Sequence, residues 1–268
     1  MLRASRPHWQ LPPGVTRGLW DYIHSRPMAD DYDSYFAYNR LFQFDEQVVL
    51  RALQAHGAEP GDLVADLGCG TGRILVTLGR LGIRGLAIDL SEPMLAVVRA
   101  KIAKERLPIQ CVRANLVQLE MIRDEVVDGA VSLFSTLGMI RGHAHRQQAL
   151  QHACRILKPG KPFVIHVHNY WFNLRDPGGP WWVLRTLLRA VAVRDMEAGD
   201  KFFDYRGVPK MFLHVFTQRE LCVALRGAGF HLRQLIPLDV NRYRELRWPW
   251  LFGRLRANGW IAVCVKPR

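Results

Sequence analysis

Short apolar runs alternate with helical patterns through the middle of the chain. The apolar runs predict five strands, at residues 63–65, 85–88, 108–112, 126–133 and from 163 onward. Three stretches between them repeat apolar side chains at helical spacing, at residues 73–81, 92–105 and 144–157. Strands that alternate with helices in this rhythm predict a parallel sheet with helices on both faces.

The rhythm changes after residue 168. A turn rich in Pro and Gly at residues 177–180 precedes an apolar stretch, 181–193, that Arg185 and Arg189 interrupt. Regular patterns resume further on and predict an apolar run at 211–216, a helix near 218–228 and strands near 232–238 and 260–265. The pattern therefore predicts one α/β domain with an insertion after the fifth strand.

Composition places the chain among ordinary globular proteins, but its charge is unusual. The 268 residues are 49% hydrophobic and 23% charged, which excludes disordered and fibrous classes. The net charge is +13, and residues 169–268 carry 17 basic and 8 acidic side chains together with six of the eight Trp. The end of the chain is therefore predicted to be specialised for an anionic partner.

The five Cys are scattered, with no CxxC pair and no His/Cys cluster at metal spacing. This pattern predicts no metal site and no disulfide framework, and it favours a reduced, cytoplasmic location. We find no signal-peptide pattern at the N-terminus and no apolar run of the roughly 20 residues that span a bilayer.

A glycine-rich turn joins the first predicted strand to the first predicted helix. Residues 66–72 read Asp-Leu-Gly-Cys-Gly-Thr-Gly, and glycine lets the backbone approach a ligand closely. Asp89 ends the next strand, where a carboxylate can accept both hydroxyls of a ribose. The loop lacks the GxGxxG spacing of dinucleotide sites, which favours a nucleoside with little or no phosphate.

These residues resemble the first two motifs of class I S-adenosylmethionine-dependent methyltransferases, at 66–72 and 87–95. Residues 113–116, 127–134 and 157–160 are similar to three further motifs in the same order. The resemblance implies a doubly wound, Rossmann-like α/β fold. Its seven-stranded sheet would have the order 3-2-1-4-5-7-6, with the last strand antiparallel. It also implies S-adenosylmethionine as the cofactor.

The resemblance assigns roles to the matching residues. Gly68 and Gly70 would lie against the methionine moiety, Asp66 would face its amino group, and Asp89 would hold the ribose. Asn115 stands where the family usually has Asp, and its amide oxygen can still accept a hydrogen bond from the adenine amino group. The implied cofactor-binding residues are Asp66, Gly68, Cys69, Gly70, Asp89, Leu90, Met94, Asn115, Leu116 and Phe134.

The resemblance also implies a division of the single domain, residues 1–268. Residues 1–58 form an N-terminal extension or lid, and its aromatic segment 32–40 resembles one that closes over the cofactor in related enzymes. Residues 59–168 form the cofactor-binding core, and 169–216 an insertion that caps the acceptor side. Residues 217–268 complete the core sheet.

Methyl transfer from a sulfonium is an in-line displacement that depends mainly on positioning. The fold therefore guarantees no catalytic residue, and the catalytic set stays unknown. The candidates are His168, Tyr170 and His214. His166 shares a strand face with His168, but two ligands alone do not make a metal site.

The connection 239–257 interleaves Arg with aromatic residues, a pattern that suits phosphate, an acidic membrane surface or a small acid. We expect a small-molecule or lipid-like, anionic acceptor, with peripheral membrane contact left open. An RNA acceptor is the alternative, because residues 211–221 and 258–260 loosely resemble tRNA wobble-uridine methyltransferases. A non-catalytic cofactor-binding protein is the third reading.

Overall fold

The computed structural model describes residues 10–37, 40–193 and 196–268, and gives no side-chain placement for Leu41. Tyr38 and Asn39, which belong to the predicted aromatic segment, lie outside the described residues. So do the first nine residues of the predicted lid.

A seven-stranded sheet forms the centre of the molecule. Its strands are β1 (Leu63–Leu67), β2 (Arg84–Asp89), β3 (Ile109–Arg113), β4 (Gly129–Ser132), β5 (Pro162–His168), β8 (His231–Pro237) and β9 (Gly259–Val265). Their spatial order is β3-β2-β1-β4-β5-β9-β8, and β9 runs antiparallel to both of its neighbours. Because β6 (Asp200–Tyr205) and β7 (Val208–His214) form a separate hairpin in the insertion, this is the predicted order 3-2-1-4-5-7-6, and the predicted fold class is confirmed.

Helices cover both faces of the sheet. The larger ones are α4 (Leu41–Ala55), α5 (Arg73–Arg80), α6 (Glu92–Glu105), α7 (His143–Ile156) and α9 (Gln218–Gly227). Helices α4, α5 and α6 bury their apolar stripes on one face, and α7 and α9 bury theirs on the other. The central strands are therefore buried on both sides, as the continuous apolar runs predict, whereas the edge strands β3 and β8 are partly exposed.

Local sequence signals explain several of these boundaries. Ser91 caps α6 by accepting a hydrogen bond from the Met94 N–H, and Thr217 and Glu220 form a capping box at the start of α9. The predicted fourth strand, 126–133, is longer than the observed one. Val127 makes only an isolated bridge to Leu157, so regular pairing begins at Gly129.

The insertion contains an element that the sequence pattern did not predict. Strand β6 (Asp200–Tyr205) pairs antiparallel with β7 (Val208–His214) around a tight turn. Both follow helix α8 (Gly179–Ala192) and a 3-10 turn, Tyr170–Arg175. β6 was missed because its sequence, DKFFDY, alternates poorly between apolar and polar positions.

Three short helices precede α4: α1 (Arg17–Ile23), α2 (Arg26–Asp30) and α3 (Tyr32–Phe36). Helix α1 packs against β7 of the insertion, and α2 packs against α6 of the core. The last connection, between β8 and β9, contains the short helix α10 (Gly253–Arg256). Within the described residues, no helix is both long enough and apolar enough to cross a membrane.

Candidate functional site

One pocket lies at the carboxyl ends of β1, β2 and β4, where the strand order reverses direction. Open α/β sheets bind their ligands at this point. The pocket wall contains all ten residues that the sequence analysis assigned to the cofactor: Asp66, Gly68, Cys69, Gly70, Asp89, Leu90, Met94, Asn115, Leu116 and Phe134. The structure brings them together, and their individual binding roles stay predictions.

The glycine-rich loop is held in place by the neighbouring strand. The backbone N–H groups of Gly68 and Cys69 both donate to the Ile88 carbonyl, at 2.8 and 3.1 Å. Gly68 has φ +83°, and a Cβ there would lie 2.2 Å from Cγ2 of Thr136. A side chain at Gly70 would meet no atom within 4 Å, so the loop leaves open space on its pocket side.

Asp89 links the loop to the second strand. Its Oδ2 accepts a hydrogen bond from the Gly70 N–H at 2.8 Å, and its Oδ1 accepts one from the Ser91 N–H at 2.8 Å. Burial raises the pKa of Asp89, and the backbone N–H groups that it accepts from oppose this shift. Each carboxylate oxygen keeps a further lone pair with which to meet the hydroxyls of a ribose.

Asp66 is a buried carboxyl group with no side-chain hydrogen bond in the described part of the chain. Burial raises its pKa to about 8, Asp89 adds to this shift, and Arg73 opposes it. A cation bound beside Asp66 would offset the cost of ionising it. The ammonium group of S-adenosylmethionine supplies such a cation, so the residues fit the predicted cofactor.

Asn115 is partly committed to holding the N-terminal segment. Its Nδ2 donates to the Pro13 carbonyl at 2.9 Å, and its Oδ1 accepts from the Val117 N–H at 3.1 Å. One N–H and one lone pair remain, which is enough for the predicted contact with an adenine amino group. The N-terminal segment thus borders the predicted adenine end of the pocket.

The N-terminal helices close the outer wall of the pocket. Tyr22 and Tyr32 line it, and burial raises the pKa of Tyr32 to about 12. Asp33 fastens α3 to the core, because it accepts a hydrogen bond from Thr71 at 2.6 Å and pairs with Lys101 at 2.6 Å. The aromatic segment 32–40 predicted a cover here, but nothing in its pattern indicated that Asp33 anchors it.

Phe134 separates the pocket from a group of polar side chains behind it. Its ring centroid lies 5.0 Å from that of Phe42 and 6.0 Å from that of His168. Arg242 projects onto the Phe134 ring, with Cζ 5.5 Å from the centroid, and its NH1 lies 3.5 Å from Nε2 of His168. Arg242 was noted in the sequence only as one of many Arg residues in the connection 239–257.

His168 is electrically neutral in this arrangement. Burial lowers its pKa well below the ordinary range, and the neighbouring Arg242 and His166 lower it further. Since an Arg has only donors, Nε2 of His168 must be the acceptor and Nδ1 must carry the proton. Nδ1 is buried and has no partner in the described residues, so His168 holds an unused donor beside Phe134.

Asp45 was missed by the sequence analysis. It lies on the buried stripe of α4, lines the pocket and accepts a hydrogen bond from Nδ1 of His166 at 2.8 Å. Its other oxygen has no partner in the described residues. One sequence signal could have revealed Asp45. It is spaced three, four and seven residues before the apolar Val48, Val49 and Ala52, so it shares the buried face of α4.

None of the three catalytic candidates is among the residues that line this pocket: His168 lies behind Phe134, and Tyr170 and His214 lie in or beside the insertion. The hydroxyl of Tyr170 lies 3.0 Å from both the Val183 carbonyl and Thr186 Oγ1, which ties the 3-10 turn after β5 to α8. His214 is fully buried, and its two ring nitrogens lie 2.8 Å from Asp200 and 2.7 Å from Glu220. The Tyr170 contacts and the His214–Asp200 contact join parts of the insertion, and the His214–Glu220 contact joins the insertion to α9 of the core.

Glu197, His214 and Glu220 place three ligand atoms within 4.8 Å of one another. Arg146 already forms ion pairs with Glu197 and Glu220. Both ring nitrogens of His214 face carboxylate oxygens, and these hydrogen bonds raise its pKa although burial opposes them. A doubly protonated ring has no lone pair for a metal, so the cluster is better described as an ion-pair network.

Comparisons with known proteins agree with this geometry. Residues 64–160 match a family model described as a methyltransferase domain. A SAM-dependent methyltransferase from Methanosarcina mazei superposes with a TM-score of 0.64 at 18% identity, over 82% of this chain and 97% of that chain. This structural likeness shows the fold.

Two curated relatives have names that state different methyl acceptors, a quinone and a tRNA. The 2-phytyl-1,4-naphtoquinone methyltransferase of Synechococcus elongatus is 28% identical over 82% of this chain and 90% of its own length. The probable tRNA methyltransferase 9B of Bos taurus is 28% identical over 46% of this chain and 26% of its own length. The chain spans about half the length of other curated relatives that it matches, 49% and 57%.

Residues 64–160 therefore form a methyltransferase domain, as the motifs at 66–72 and 87–95 predicted. The predictions of a class I methyltransferase and of S-adenosylmethionine as its cofactor agree with this domain match and with the fold shared with a SAM-dependent methyltransferase. The residues that fit this cofactor are the glycine-rich loop, Asp66 and Asp89.

Proposed function

We propose that this chain transfers a methyl group from S-adenosylmethionine to a small-molecule or lipid-like acceptor that carries an acidic group on an apolar body. The observation that carries this proposal is Arg242. It is half-buried, it contacts Phe134 in the pocket wall, and no carboxylate forms an ion pair with it in the described residues. A desolvated cation without a partner favours an anionic ligand.

The local sequence holds Arg242 in this position. Its backbone has φ +61°, within a turn in which the Arg242 N–H donates to the Asp239 carbonyl at 3.1 Å. The Asp239 side chain accepts from the Tyr243 N–H and pairs with Arg244, and Asn258 donates to the Val240 carbonyl. This fixed turn reduces the entropy that Arg242 would lose on binding an acid.

The surroundings of Arg242 favour an acid attached to an apolar body. Burial lowers the pKa of Arg242, and Asp45 opposes that shift from a distance. Aromatic rings of Phe36, Phe42 and Phe134 meet at centroid separations of 5.0 to 5.7 Å between Arg242 and the predicted cofactor site. Neutral His168 adds an N–H donor that an anionic oxygen can accept from.

When bound, the cofactor supplies an electrophilic methyl group on a sulfonium. The residues of this chain then have two tasks. Arg242 and His168 orient the acid of the acceptor, and the three Phe rings exclude water from its path. A carboxylate acceptor needs no general base, whereas a hydroxyl acceptor would have to lose a proton.

An RNA acceptor is the weaker alternative. The segment that resembles wobble-uridine methyltransferases includes Phe212 and His214, and both side chains are fully buried in the insertion. They pack the hairpin against the core, so they do not present a surface for a nucleotide.

The test begins with methyl-labelled S-adenosylmethionine and a cell extract separated into RNA, protein, lipid and small-molecule fractions. We expect label in the small-molecule or lipid fraction, in a compound with an acidic group. Label in RNA would favour the alternative. Cofactor binding without label in any fraction would favour the non-catalytic reading.

The Arg242→Gln variant then tests how the acceptor is held. We expect the KM for the labelled acceptor to rise at least about tenfold, the scale of one charge-assisted hydrogen bond, with unchanged cofactor affinity. Arg233→Gln, an exposed Arg on β8, is the matched control and should behave like the wild type. An unchanged KM in Arg242→Gln would remove Arg242 from the acceptor site.

A further inference from the structure

Helix α8 exposes most of its large apolar side chains. It buries only a narrow stripe, which includes Gly179, Val183 and Thr186. The side chain of Val191 is 91% exposed, and the other exposed apolar residues of this helix are Trp181, Leu184, Leu187 and Leu188. A surface helix normally turns polar residues to water, so this apolar face indicates a partner.

A second group of exposed apolar residues lies in the connection between β8 and β9. Trp250 is 80% exposed and Phe252 is 69% exposed, with Trp248 also exposed. Arg256 fixes this loop by donating hydrogen bonds to the carbonyls of Arg247, Trp248 and Leu251. The exposed Trp and Phe rings therefore project from a loop that is held in place by its own hydrogen bonds.

The two groups flank one element, the 3-10 turn Tyr170–Arg175. This turn packs against both α8 and α10. Asn169 caps the turn, and its Nδ2 donates hydrogen bonds to the carbonyls of Arg254 and Ala257. The Tyr170 hydroxyl donates a hydrogen bond to the Val183 carbonyl in α8. We call α8 together with residues 247–256 the aromatic–basic face.

This face carries only positive charge. It contains Arg185, Arg189, Arg247, Arg254 and Arg256, and neither residues 179–192 nor residues 246–258 include an Asp or Glu. Arg185 and Arg189 are exposed and form no ion pair in the described residues. The charge complement of such a surface is a densely anionic partner.

We propose that the aromatic–basic face docks this protein onto the surface of a membrane that contains anionic lipids. Apolar and aromatic side chains would enter the boundary between headgroups and acyl chains, and the Arg residues would meet lipid phosphates. This interaction goes beyond the proposed methyl transfer and does not depend on it, because the face lies outside the pocket.

Two other partners fit the face less well. Leu184, Leu187, Leu188 and Val191 have no aromatic ring, whereas single-stranded RNA is bound through stacking of its bases on such rings. A symmetric dimer would place the same surface of each copy against the other, and the Arg residues would then repel one another. A lipid surface accommodates both the aliphatic side chains and the positive charge.

The test is co-sedimentation of the full chain with vesicles, without cofactor or acceptor. One set contains phosphatidylcholine alone, and the other equal parts of phosphatidylcholine and phosphatidylglycerol. We expect binding to the anionic vesicles to exceed binding to the neutral ones at least about tenfold, and to weaken as salt is added.

Two double variants at exposed positions report on the apolar side chains, W250S/F252S in the loop and L188S/V191S in α8. Each should lower partitioning onto anionic vesicles at least about tenfold. Met121→Ser removes an equally exposed apolar side chain away from this face and should bind like the wild type. Unchanged circular dichroism would show that the variants are folded.

Failure to bind either kind of vesicle would overturn the proposal, and so would unchanged binding by both double variants. A concentration-dependent dimer that L188S/V191S abolishes would assign the face to a second copy of the chain. Binding to unmodified tRNA that W250S/F252S abolishes, with no vesicle binding, would assign it to RNA. Each of these outcomes leaves the methyl-transfer proposal to its own assay.

Discussion

The Asp89 carboxylate accepts a hydrogen bond from the backbone N–H of Gly70 at 2.8 Å, so the acid that ends β2 holds the glycine-rich loop that follows β1. Its other oxygen holds the Ser91 N–H at the start of α6. One side chain thus fixes the positions of two neighbouring walls of the pocket. Its remaining lone pairs are directed by this arrangement toward a ligand.

We predict that Asp89→Ala weakens binding of S-adenosylmethionine by about 1.5–3 kcal/mol, the range for a hydrogen bond to a charged group. The variant loses the predicted ribose contact and the restraint on the loop. Calorimetry with the cofactor and with its demethylated product measures the change. Asp30→Ala, at an exposed position in α2, is the control, and equal affinity in both variants would contradict the ribose assignment.

Gly68 is a position in the glycine-rich loop where the structure leaves no room for a side chain. We predict that Gly68→Ala lowers the free energy of unfolding by about 3 kcal/mol, because its positive φ is strained for Ala and its Cβ would clash with Thr136. Urea denaturation measures the loss. Gly57→Ala shares a positive φ, +68°, but would meet no atom within 4 Å, so it should lose only about 1 kcal/mol. Equal losses would show that the contact with Thr136 is unimportant.

The raised pKa of Asp66 predicts that the stability of the folded chain depends on pH. Its pKa is about 8 in the folded chain and 3.8 ordinarily, so the folded state disfavours its ionised form. The wild type should therefore lose stability relative to Asp66→Asn as pH rises from about 4 to about 8, with a constant difference above that range. Urea denaturation of the cofactor-free proteins across this range tests the prediction.

Two further measurements complete this test. Asp66→Asn should bind the cofactor more weakly than the wild type, because an amide cannot pair with its ammonium group. Glu120→Gln, at an exposed acid, is the control for stability. A stability difference that does not change with pH would show that Asp66 is not shifted in the folded protein.

The contacts of Asp33 predict how firmly the N-terminal helices retain a bound cofactor. We expect Asp33→Ala to speed dissociation of the cofactor about three- to tenfold, because α3 loses its hydrogen bond to Thr71 and its ion pair with Lys101. Stopped-flow displacement of bound cofactor measures this rate. Asp31→Ala, two residues away and without a side-chain cap bond to α3, is the matched control. The same rate in both variants would argue against a cover held by Asp33.

Much of the cofactor pocket could be predicted from the sequence because its residues follow strands in order along the chain. Asp66, the glycine-rich loop and Asp89 end neighbouring parallel strands, and such ends must meet at one edge of the sheet. The ten predicted residues accordingly line one pocket. The strand order was also predictable, through the family that these motifs resemble.

The acceptor side was less predictable, because its residues come from elements that are distant along the chain. Asp45 lies on α4 and Arg242 follows β8, and nothing in their local patterns states that both approach β5. Tyr170 and His214 show the converse case. Their chemistry suggested catalysis, and burial gave them structural partners instead.

The sequence by itself thus determined the sheet, the glycine-rich loop and the methyltransferase domain, since these depend on local periodicity and on motifs whose spacing is fixed by the strands. It also revealed that positive charge and Trp are concentrated after residue 168. Only the tertiary structure decided which of those residues face the pocket and which face the solvent. That choice depends on packing between distant segments. The turn at Asp239 directs Arg242 toward Phe134, while the 3-10 turn Tyr170–Arg175 packs against both α8 and α10 of the aromatic–basic face.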